Sequence, residues 1–125
     1  MTLVELDKYF RSFIEIDEYF GDPSQNGIQV QNSNPEGKEI KKVAFAVDAC
    51  LETITRAAQA GADLLFVHHG MFWSHSELIT GMHYRKIKAL MDNDMALYGC
   101  HIPLDANAVV GNNYGLAKRL NLQNI

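Results

Sequence analysis

A chain of 125 residues, 47% hydrophobic and 21% charged, holds enough apolar material for one compact domain (1–125) with its own core, without a disulfide scaffold. The formal net charge is −4, and Lys and Arg are scattered, which leaves no basic stripe for direct nucleic-acid binding. No apolar run approaches the roughly 20 residues that span a bilayer, MTLVELDKYF is not a secretory start, and Cys50 and Cys100 form no CxxC pair. A reduced, cytoplasmic protein with no membrane partner is expected.

Residues 2–20 space Leu3, Leu6, Phe10, Phe13 and Ile14 at helical intervals, and Thr2 followed by Glu5 matches a capping box, so the chain should open on an amphipathic helix. Gly, Pro, Asn and Ser dominate 21–37, a loop region in which GIQV (27–30) reads as a small edge strand. Three short apolar runs follow: VAFAV (43–47), LLFV (64–67) and MALY (95–98). Their lack of alternation predicts parallel strands covered on both faces. Between them lie helical patterns at 51–60, with Gly61 as its stop, and at 80–93. A last helix is expected over about 112–120, capped by Asn112 or Asn113. This order predicts an α/β fold, a mainly parallel sheet flanked by helices, with right-handed crossovers.

Polar residues cluster where those runs stop. The first ends at Asp48, the second at His68-His69-Gly70, and the third at His101, followed by Pro103 and Asp105. Ligands of open α/β sheets bind beyond the carboxyl ends of the strands, so parallel strands would bring these groups to one rim. Inside a regular strand neighbouring residues face opposite ways. A His-His pair can share a site only where the chain is turning, and Gly70 would permit a sharp turn there. The Pro-containing turn after His101 would fold Asp105 back toward its imidazole. His68, His69, His101 and Asp105 are therefore the candidate ligands, a donor set suited to divalent zinc, iron, manganese, cobalt or nickel. Asp48 has two readings: an acceptor orienting a histidine, or the cap of the next helix. His75 and His83 read as surface or locally bonded residues, Phe72 and Trp73 as pocket walls, and Cys100 as a core residue. There is no Gly-rich phosphate loop and no GxSxG elbow.

The blocks NGIQVQN, KKVAFAVDA, GADLLFVHHGMFW and LYGCHIPLDANAVVGNNYGLA, in that order, resemble the NIF-three-like family, whose bacterial members are known as GTP cyclohydrolase I type 2 homologues. The resemblance runs from about Asn26 to Leu120. It implies a layered α/β protein with a dinuclear metal centre facing the cavity of a hexameric ring, hence a homo-oligomer. Within it, His68, His69 and Asp105 fall on the family's ligands, His101 on or beside one, and Asp48 near the site. Hydrolase chemistry on a small-molecule substrate, through a metal-activated water, is what the family name implies; a metal-binding interaction or regulatory module is the alternative. Family members are about twice this length and complete the centre with a His-x-x-x-Glu helix. This chain carries no His after His101 and no Glu after Glu77. It reads as the N-terminal half, with a site holding one or two ions, or none when that half stands alone.

Overall fold

A computed structural model describes all residues, 1–125. Helix α1 (Leu3–Ile14) opens the chain, and its capping box forms as the sequence predicts. The Thr2 N–H donates to Glu5 Oε2 at 2.8 Å, and the Glu5 N–H donates to Thr2 Oγ1 at 3.3 Å. The helix spans the apolar spacing and stops short of the end of the 2–20 segment, because Glu15 adopts a left-handed conformation (φ 58°) that closes the last turn. A 3-10 turn, Ile16–Glu18, follows.

Four strands, β1 (Gly27–Val30), β2 (Val43–Asp48), β3 (Leu64–His69) and β4 (Ala96–Gly99), form one sheet in the order β1-β4-β3-β2. The three strands of the apolar runs are mutually parallel and β1 joins β4 antiparallel, so GIQV is indeed an edge strand. Helices α2 (Leu51–Gln59) and α3 (Gly81–Asp92) are the crossovers from β2 to β3 and from β3 to β4. Alternation across the sheet divides the core. Leu65, Val67 and Leu97 pack with Ile54 of α2 and Leu90 of α3, while Leu64, Phe66, Ala96 and Tyr98 pack with Leu3 and Ile14 of α1. The sheet is thus sandwiched between one helix and two.

Burial on both faces holds for β3 and β4 but not for β2. Phe45 and Val47 are 74% and 63% exposed. Ala44 and Ala46 pack against the α2–α3 side, but β2 is an edge strand and α1 is seated over β3 and β4. Beyond β4 the chain makes a short helix α4 (Ile102–Ala106), where the sequence suggests only a turn, and then α5 (Asn112–Arg119). Gly111, not an asparagine, caps α5. No helix is long and apolar enough to cross a membrane.

Candidate metal centre

Parallel pairing of β2, β3 and β4 brings their carboxyl ends to one rim, and the polar residues meet there. One ring nitrogen from each of His68, His69 and His101 lies within 4.8 Å of the other two. His68 and His69 are the last two residues of β3, a position where alternation should separate them, yet their ring centroids are 4.5 Å apart. The pairing explains this. Registry with β4 stops at Val67, while registry with β2 continues to His69 opposite Asp48. Released on one side, the chain lets the His68 ring lean toward β4 and the His69 ring toward β2.

Each imidazole is oriented through its Nδ1. That of His68 donates to the Cys100 carbonyl oxygen at 3.1 Å; a carbonyl only accepts, so Nδ1 carries a hydrogen. The Nδ1 of His69 meets Asp48 Oδ1 at 2.7 Å, and that of His101 meets Asp22 Oδ1 at 2.8 Å. Asp48 therefore orients a histidine; the cap of α2 is Cys50. Asp105 approaches His68 Nε2 at 3.5 Å rather than turning back to His101. The expected fold-back fails because the segment is helical: His101 caps α4, its carbonyl accepts from the Leu104 N–H, and the turn carries the carboxylate over β3. The Asn112 side chain of α5 holds the other Asp105 oxygen at 2.9 Å.

Asp22 lies outside the blocks that carry the family resemblance, and neither it nor Asn26 is among the expected site residues. Burial alone would raise the Asp22 carboxyl, but hydrogen bonds from Asn26, His101, Ser24 and Ile102 outweigh it and hold the group below the ordinary carboxylate value. Gln29 of β1 is a second unforeseen contributor. Its side-chain oxygen accepts from the Met71 N–H at 2.7 Å, fastening the turn after β3. This explains Gly70 differently from the expected sharp turn. Its φ is not left-handed, but a Cβ there would stand 2.3 Å from the Gln29 amide. Trp73 closes one side, edge-on to His101 at 5.0 Å, and its indole N–H donates to the Gly70 carbonyl at 3.2 Å.

His75 and His83 lie away from the rim. Both face Glu77, at 3.3 and 3.4 Å, and His83 packs edge-on against Phe72. Cys100 is fully buried, and burial first, with the nearby Asp22 and Asp105 charges, pushes its thiol up to about 12. An open apolar groove of about 670 Å³ adjoins the rim, walled by Tyr9, Phe10, Phe13, Phe45 and Phe66, with His68 and Asn112 at its polar end.

The donor set fits a divalent ion. Ligand atoms about 2.1 Å from a common ion stand roughly 3–4 Å apart; these ring nitrogens lie within 4.8 Å of one another, a gap that small ring rotations would close, and each histidine has its Nδ1 engaged by a neighbouring oxygen.

Comparison with known proteins agrees with this scaffold. The chain is 53% identical over 124 residues to a GTP cyclohydrolase 1 type 2 homolog of Treponema pallidum (strain Nichols), covering 98% of this chain and 42% of that protein. It is 42% identical over 121 residues to the homolog of the same name from Deinococcus radiodurans, covering 97% and 44%. The crystal structure of TTHA1606 from Thermus thermophilus superposes with a TM-score of 0.93 at 38% identity, over all of this chain and 50% of that one. Reduced HcgD from Methanocaldococcus jannaschii gives 0.85 at 35% identity, over 99% and 48%. The chain spans about half the length of the relatives it matches. The family model Duf34/NIF3 (NGG1p interacting factor 3) matches residues 1–125, and the chain belongs to that family.

Proposed function

We propose that this chain supplies the N-terminal ligands of a divalent-metal centre and that the centre supports metal-dependent hydrolysis. The observation that carries the reading is the convergence of three imidazoles, each with one ring nitrogen within 4.8 Å of the other two and with its Nδ1 engaged by a neighbouring oxygen. A bound divalent ion lowers the pKa of its water and polarises a carbonyl, ring carbon or phosphoryl oxygen. His68, His69 and His101 would hold it; Asp105, at 3.5 Å from His68 Nε2, would be a further ligand or accept a proton at its Oδ2. Trp73 lies edge-on to His101 at one side, and the aromatic groove beside His68 would seat an apolar or planar part of a small-molecule substrate.

The relatives' name, GTP cyclohydrolase 1 type 2 homolog, makes a nucleotide ring one substrate class to test. A second reading draws on the family's description as an interacting factor: the same residues hold an ion in a module without turnover. Assembly into a ring and a cytoplasmic location belong to the same proposal. Elemental analysis of His69→Ala and Asp105→Ala tests the ligand set. Both should lose bound metal, and unchanged metal content in both would sink the assignment. Turnover of nucleotides and generic phosphoesters by the metal-loaded chain separates the hydrolase from the module.

A further inference from the structure

Four hydrogen-bond donors converge on one carboxylate beside the histidine cluster. The Asp22 side chain is 1% exposed. Its Oδ1 accepts from the Ser24 N–H at 3.0 Å and faces His101 Nδ1 at 2.8 Å. Its Oδ2 accepts from Asn26 Nδ2 at 2.8 Å and from the Ile102 N–H at 2.9 Å. Asn26 closes the ring, because its own Oδ1 accepts from the His101 N–H at 2.9 Å. The same Asp–Asn pair therefore grips the backbone of His101 and its ring.

We propose that Asp22, braced by Asn26, is the positioning residue that keeps neutral His101 in its Nδ1–H tautomer and so presents Nε2 as the lone pair at the centre. An ionised carboxylate only accepts, so His101 must donate to it. The consequence for metal affinity rests on the metal reading above; the tautomer does not.

The network also dictates what an isosteric change would do. In Asp22→Asn one oxygen becomes an NH2 group, and every group around it is a donor. Placed at the Oδ2 position, that NH2 opposes the fixed Ile102 N–H. It also forces Asn26 to flip, which turns a second NH2 onto the His101 N–H. Placed at the Oδ1 position, it opposes only the Ser24 N–H, because His101 Nδ1 can change from donor to acceptor by moving its proton to Nε2. The arrangement with fewer clashes is the one that inverts the tautomer. The variant should block the metal-facing nitrogen with a hydrogen while changing no atom of His101.

Ring 15N shifts of the metal-free chain near pH ~8, where histidine is largely neutral, read this directly, with His101→Gln assigning the signals. The wild-type ring should be Nδ1–H and the Asp22→Asn ring Nε2–H. Zinc affinity of the variant, from chelator competition, should fall roughly 10–100-fold with the circular dichroism spectrum retained. An Nε2–H tautomer in the wild type overturns the proposal without need of any variant. So does a folded Asp22→Asn whose ring stays Nδ1–H; an inverted ring with unchanged zinc affinity supports the assignment of Asp22 and removes His101 from the metal ligands. A wild-type chain with the Nδ1–H ring that binds no zinc supports the assignment of Asp22 and means that these residues alone do not hold the ion.

Discussion

Two corners of the rim contain the same three residue types in opposite surroundings. At the β2 corner, Asp48 and His69 are 63% and 45% exposed, and Cys50 stands two residues beyond Asp48. At the β4 corner, Asp22 and His101 are 1% and 22% exposed, and Cys100 precedes His101. The difference follows from sheet order. β2 is an edge strand with nothing beyond it, whereas β4 is interior and the segment leading into β1 folds over its end. An exposed aspartate can be replaced by water as the acceptor for its histidine. A buried aspartate with four donors cannot. Similar Asp–His distances, 2.7 and 2.8 Å, thus carry different energetic weight.

The largest contrast between the corners should appear in their thiols. Hydrogen bonding to the Thr53 side chain and backbone N–H lowers Cys50 below the ordinary thiol value of 9.0, whereas burial pushes Cys100 up to about 12. A lowered pKa enlarges the thiolate fraction at a given pH and a raised one shrinks it. Iodoacetamide near neutral pH should label Cys50 at least about a thousandfold faster than Cys100 in the folded chain. Labelling followed by peptide mass spectrometry checks this, and comparable rates would mean that the β4 corner opens readily.

Stability should separate the corners next. Asp22→Ala removes a side chain that is 1% exposed and leaves the Ser24 N–H and the Asn26 amide without that acceptor, and should cost about 2 kcal/mol in urea denaturation. Asp48→Ala, at an exposed edge, should cost no more than about 0.5 kcal/mol. Equal losses would erase the distinction between a fixed and a replaceable lock. The smallest effect should be that of Asp48→Ala on zinc affinity. Water can take over as acceptor for His69 Nδ1, so the loss should stay below about tenfold and be smaller than that of Asp22→Asn. Quenching of Trp73, the single tryptophan and 5.0 Å from the His101 ring, offers a titration signal for both variants.

The contrast also marks how much of the site is legible in the chain. His68, His69, His101 and Asp48 each stop an apolar run, and parallel pairing of those runs is enough to gather them, since strand ends in such a sheet share a rim. The capping box at Thr2 and Glu5 and the stop at Gly61 are local in the same sense, because their partners lie within a helical turn. Asp105 was legible as a site residue but not in its partner: His101 was expected, and helix α4 delivers it to His68.

The strand and helix periods, the parallel pairing that follows from them and the identity of the histidines at the rim are all written in the chain, because each depends on spacing within a short window. Tertiary packing was needed to leave β2 bare at the edge, to lay the Gln29 amide against Gly70, and to bring Asp22 to His101 across 79 residues of chain. Those facts depend on which segments cover which strand ends. That is a property of the whole packed chain, and no local pattern encodes it.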